Sequence, residues 1–119
     1  MIPSFLLAKL YVKGSLKNTD SGFEFALKNI IDSTMLIGIG PITVGEKNYE
    51  GESVTMSTNE RTVNGAELSR NNPLPVRMGV ALKVSVAGDK LPAGTQRVSV
   101  AATTSEIGKI KFDINDNVA

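Results

Sequence analysis

The sequence predicts an all-β protein: a single antiparallel β-sandwich of about seven to nine short strands, immunoglobulin-like, with a C-terminal three-stranded meander. Three observations lead there. Apolar side chains recur with a period of two in at least five segments. Gly, Pro, Asn and Asp punctuate the chain about every ten residues. No long stretch carries apolar residues at helical spacing.

The elements follow in chain order. A first strand is expected over Phe5 to Lys13, with Leu6, Ala8, Leu10 and Val12 on one side. The other side holds Phe5, Leu7, Lys9, Tyr11 and Lys13, more apolar than a solvent face usually is. The polar insert "KGSLKNTDSG" separates it from a second strand, in which Phe23, Phe25 and Leu27 alternate with Glu24, Ala26 and Lys28. "MLIGIGPITV" (35–44) has one polar side chain, Thr43, so alternation marks no solvent side. Its glycines predict a bend, a bulge or close backbone packing. A hairpin should then turn at Gly45-Glu46 and return to about Tyr49. "SVTMS" points Val54 and Met56 inward, and a weaker strand runs through Arg61 to Val63. Pro73 and Pro75 exclude a central strand from 66–78, where one helical turn at Ala66 to Arg70 is allowed.

The last third is the most regular. Val80, Leu82, Val84 and Val86 share a face, as do Val98, Val100 and Ala102, and Ile110, Phe112 and Ile114. "GDKLPAG" and "TSEIG" break the run. These three strands are expected to pair as a meander, with Val84, Val100 and Phe112 in the core.

The 119 residues are expected to form one domain, 1–119, with a core that needs no staples. There is no Cys and no His, so disulfides, thiolate metal sites and the commonest general base are excluded. No catalytic residue, metal site or cofactor is expected. Thirteen basic and twelve acidic residues are scattered without blocks, and the aromatics are four Phe and two Tyr. Nucleic-acid binding, which needs a basic face with stacking platforms, is not expected. The apolar N-terminal run lacks a basic leader and is interrupted at Lys9, and no segment reaches the ~20 residues of a membrane helix. A soluble, cytoplasmic protein with no membrane contact is the expectation.

Candidate sites are few. Asn18 and Asp20 in the polar insert could hold a sugar hydroxyl or an ion, but a calcium loop would need more carboxylates at alternate positions. Self-capping turns explain the same residues. "GIGPITVG" leads to a strand rather than a helix N-terminus, so it is no phosphate loop. Glu46, Glu50 and Glu52 around Tyr49 read as a solvated turn, not as a glycosidase pair. Phe5, Leu7, Tyr11, Met35, Leu36, Ile37, Ile39 and Ile42 are the candidates for a partner interface, because strands apolar on both faces need a second cover, which a loop of the same chain would equally supply.

"FLLAKLYVKGSLKN…GFEFALKN", "ITVGEKNY…SVTM" and "LPAGTQRVSV" resemble the C-glycoside deglycosidase beta-subunit family. The sequence departs from that pattern where Gly45-Glu46 replaces an Asp-Gly turn, where Gln96 replaces a His, and in the loop after the second strand. The resemblance implies a non-catalytic accessory sandwich that associates with itself or with a sugar-isomerase-like catalytic α subunit carrying the metal. The other readings are a stand-alone carbohydrate or small-ligand module, which the lack of Trp disfavours, a structural or oligomeric protein, and, as the least favoured, an enzyme built on carboxylates.

Overall fold

A computed structural model describes residues 3–119. Two antiparallel sheets stack face to face, as the alternating pattern requires. The strands in chain order are β1 (Lys17–Thr19), β2 (Gly22–Lys28), β3 (Thr34–Val44), β4 (Lys47–Tyr49), β5 (Val54–Ser57), β6 (Thr62–Asn64), β7 (Leu74–Val76), β8 (Ala81–Ala87), β9 (Gly94–Thr104) and β10 (Gly108–Val118). The first sheet has the order β1-β2-β8-β5-β6. The second has the order β10-β9-β3-β4, with β7 also paired to β3. Ten strands are described; β4 and β6 fall where the hairpin return to Tyr49 and the weaker strand near Arg61 to Val63 were expected, while β1 and β7, of three residues each, are too short for alternation to reveal.

The inner faces are the residues the period of two selects. Phe23, Phe25 and Leu27 of β2, Val54 and Met56 of β5, and Leu82, Val84 and Val86 of β8 are buried from one sheet. Leu36 and Ile42 of β3, Val98, Val100 and Ala102 of β9, and Phe112 and Ile114 of β10 meet them from the other. Val84, Val100 and Phe112 therefore lie in the core, as expected. At one edge the rings of Phe23 and Tyr49 pack edge to face with centroids 5.8 Å apart, an arrangement the ring quadrupoles favour.

Two expectations are corrected. The segment Phe5 to Lys13 is not a strand. Ser4–Leu7 forms one α-helical turn (α1), Ala8–Leu10 a 3-10 turn, and Tyr11 makes only an isolated bridge to Leu27. Leu7 and Leu10, three apart, share the inward side of that coil, so the true spacing was helical. Nor do the last three strands form a meander. β8 pairs with β2 and β5 in the first sheet, while β9 and β10 pair in the second. The connection 88–93 crosses between sheets, anchored where Asn18 Nδ2 donates to the Leu91 carbonyl (2.9 Å) and the Leu91 N–H donates to Asn18 Oδ1 (2.7 Å). Alternation shows which residues point inward but not which sheet a strand joins.

The glycine-rich β3 is central to the second sheet. Its register against β9 shifts between Leu36 and Gly38 and again between Ile39 and Ile42, bulges of the kind its glycines predict. It turns into β4 through Gly45-Glu46, where Gly45 has φ +61°. Beyond, the 3-10 turns Gly51–Ser53 and Gly65–Glu67 approach β3 closely. A Cβ on Gly65 would lie 2.5 Å from the Gly51 carbonyl oxygen and 2.5 Å from Ile39 Cγ2. The second 3-10 turn carries a reciprocal cap: Asn64 accepts from the Ala66 N–H and Glu67 accepts from the Asn64 N–H, both at 2.9 Å. β7 pairs only with β3, the edge position that Pro75 permits. No helix among the described residues is long and apolar enough to cross a membrane.

Candidate functional site

Three connections meet at one end of the sandwich: 29–33 between β2 and β3, 77–80 between β7 and β8, and 105–107 between β9 and β10. Asn29 organises two of them. Its amide nitrogen donates to the Asp32 carbonyl (2.7 Å) and the Val76 carbonyl (2.9 Å), and its Oδ1 accepts from the Ile31 N–H (3.2 Å). Its backbone N–H donates to the Val80 carbonyl (3.0 Å), and its carbonyl accepts from the Gly79 N–H (2.6 Å). Ser33 Oγ accepts from the Met78 N–H at 2.9 Å. The third connection is tied in through Glu106, whose carboxylate accepts from the Met35 N–H (3.1 Å), from the Thr34 hydroxyl and from the Ser105 hydroxyl.

Beneath these loops a cavity of about 190 Å³ lies between the sheets. Its walls are apolar: Leu27 and Leu82 from the first sheet, Leu36, Val100 and Phe112 from the second, and Leu7 and Leu10 from the N-terminal coil. Asp32, Ser33, Thr34 and Glu106 border it on the loop side, along with Ile31 and Ile107. Ile30, Ile31, Met35, Met78 and Ile107, all on these loops or next to them, are exposed. Large apolar side chains are thus left in water around the mouth of an apolar cavity.

The charges at this end do not suit proton transfer. The Ser105 hydroxyl, then the Met35 N–H, hold the Glu106 carboxyl below the usual carboxylate range. It stays ionised near neutrality and acts as an acceptor. Two other carboxylates behave alike on β10. Asp113 is lowered chiefly by the Ser99 hydroxyl, which donates at 2.6 Å. Asp116 is lowered by the Tyr11 hydroxyl (2.6 Å) and the N–H groups of Gly14 and Asn117 (2.7 Å each). Burial, then the bond to Asp116, raises the Tyr11 phenol. This Tyr11–Asp116 pair latches the N-terminal coil, which walls the cavity, onto β10. No group of three or more Asp or Glu suited to a metal ion occurs among the described residues.

The candidate residues from sequence are scattered by the fold. Leu7 (3% exposed), Leu36 (5%) and Ile42 (0%) belong to the domain's own core and offer a partner no surface. Ile39 and Tyr11 are half-buried against that core, and Ile37 is half-buried. Phe5 (67%) and Met35 (42%) are exposed. Phe5 lies beside Lys111 and Asp113, whereas Met35 lies by Glu106, so the eight do not form one face. Asn18 spends its amide on Leu91, and Asp20 sits exposed in the turn between β1 and β2. Glu46, Glu50 and Glu52 are exposed, as expected. No sequence pattern marks Asn29, Glu106 or the cavity. "TSEIG" read only as a strand break, although an Ile in a polar turn is a signal of an apolar end.

Fold and site together define a small antiparallel β-sandwich with an apolar chamber opening at one end. A family model described as hydroxymethylglutaryl-CoA reductase, N-terminal domain, matches residues 6–119, and the chain belongs to that family. No curated protein matches the chain. The match overturns the C-glycoside deglycosidase resemblance and with it the accessory-subunit role in such a complex. The motifs behind that resemblance were local strand-and-turn patterns: "ITVGEKNY" is the β3–β4 hairpin and "GTQRVSV" the start of β9. Such patterns recur wherever antiparallel strands turn.

Proposed function

We propose that this chain is a non-catalytic binding domain of the hydroxymethylglutaryl-CoA reductase family, working through the end of the sandwich at which the apolar cavity opens. The observation that carries the reading is the chemistry of that end: an apolar chamber, exposed aliphatic side chains around it, and a carboxylate held ionised by three hydrogen-bonding groups. Hydride transfer to a thioester needs a cofactor cleft and a proton donor poised near neutrality. Here His and Cys are missing from the sequence, and the shifted carboxylates are pushed away from neutrality. The absence of Cys suits a reducing compartment, and a cytoplasmic setting is part of the proposal.

The purified chain, given hydroxymethylglutaryl-CoA and NADPH, is expected to leave the NADPH absorbance at its protein-free rate of decay. Saturable NADPH oxidation that disappears in Glu106→Gln overturns the reading. We further propose that exposed Phe5 and Met35 help contact a second copy of the chain. A sedimentation mass of one chain at high concentration overturns that part.

A further inference from the structure

We propose that the cavity between the sheets is a site for a small neutral hydrocarbon group, about the size of an alkylated benzene ring or a six-carbon chain. The inference rests on reading this end as the binding end, and adds the ligand's chemical class. Three observations select that class. The first is volume: about 190 Å³ of space is lined by Leu7, Leu27, Leu36, Leu82, Val100 and Phe112. An apolar cavity of roughly 150 Å³ stays dry and takes up benzene, so this one holds a ring with a short substituent.

The second is the lack of polar demand. No buried side-chain nitrogen or oxygen among the described residues is without a partner. Thr104, the buried polar residue on the lining, accepts from the Ile107 N–H (3.0 Å) and donates to the Gly108 carbonyl (3.3 Å). A hydroxyl or carboxyl carried into the chamber would lose its water without replacement. A sugar or a free acid head is therefore excluded from the interior.

The third is the charge at the mouth. Glu106 is fixed in its ionised form and Asp32 stands on the same rim, against the single cation Lys28 among the lining residues. An anionic amphiphile would meet like charge where its head must rest. The rim consequently favours a neutral group, or one attached to a neutral linker.

The test is methyl-resolved NMR of the full chain titrated with ethylbenzene, with hexanoate as the anionic comparison. Saturable shifts are expected at methyls of Leu7, Leu27, Leu36 and Val100, with hexanoate binding about tenfold more weakly, the scale of one like charge near a protein surface. Ala102→Leu fills the chamber from its β9 wall and should abolish the ethylbenzene shifts while the fold is kept. Ile110→Phe does the same from β10 if the first variant does not fold. Absence of saturable shifts, shifts that persist in a folded cavity-filling variant, or hexanoate binding equal to ethylbenzene overturns the proposal. Those outcomes leave the NADPH result untouched, so failure of the ligand class and failure of the non-catalytic reading are separable.

Discussion

Replacing Val100 by Ala tests the packing logic at the wall shared by core and cavity. Val100 is 1% exposed in β9, paired with Phe112 of β10 on one side and Ile42 of β3 on the other. Removing two methyl groups forfeits about 0.8 kcal/mol each in transfer free energy, about 1.6 kcal/mol in all. The void left behind adds about 1 kcal/mol, because neighbours relax only partly. Collapse is harder here than elsewhere, since Val100 already borders the chamber and has no packed wall on that side to move inward. The sum, about 2.5 kcal/mol, corresponds to a fall of roughly 10 °C in Tm for a domain near this size. Urea unfolding followed by circular dichroism should show a lower midpoint with an unchanged slope. Val100→Asp should go further and leave no folded protein, because an unpaired charge would enter the core. A Val100→Ala midpoint equal to that of the parent chain would refute the assignment of the β9 inner face, and with it the wall of the cavity.

Other outcomes follow from the same geometry. Asp113 and Asp116 have lowered folded-state pKa values, so their contribution to stability is present above the ordinary Asp range and is lost as pH falls below about 4. Tyr11 is raised, so its contribution is complete below about pH 10 and is lost as pH climbs past it. Ultraviolet titration should find Tyr11 ionising late, and Asp116→Asn should bring it earlier. Asn29→Ala should cost about 1–3 kcal/mol, by leaving the Val76 carbonyl without its donor and freeing the loops. Faster hydrogen exchange confined to 29–33 and 77–80 checks it. Gly65→Ala should destabilise by about 1–3 kcal/mol, because its Cβ meets the Gly51 backbone and must push two turns apart. A melting temperature equal to the parent's would contradict that contact.

The inward residues of β2, β5, β8, β9 and β10 were legible because one face of each meets a core and the other meets water. The hairpin at Gly45-Glu46 was legible because a two-residue turn needs a residue of positive φ. Sheet membership was not, because β8 and β9 show the same alternation whichever neighbours they take. The N-terminal coil was misread because Leu6, Leu7 and Leu10 satisfy either period over so short a span. The site was hidden for another reason. Its walls are ordinary core residues, and a space between two sheets depends on how closely they approach, which no single segment records. Asn29 and Glu106 act on the backbone of distant loops, 47 residues away at Val76 for one and 71 at Met35 for the other. Neighbouring residues carry no trace of such partners.

The apolar chamber proposed to receive a hydrocarbon group can be probed without any assay of turnover. Xenon-pressurised crystals test it most directly. A xenon atom is expected between the sheets, in contact with Leu7, Leu36, Val100 and Phe112, with no ordered water in that space. Side chains closing the space, or a chain of ordered waters bonded to one another within it, would rule out a dry hydrocarbon site.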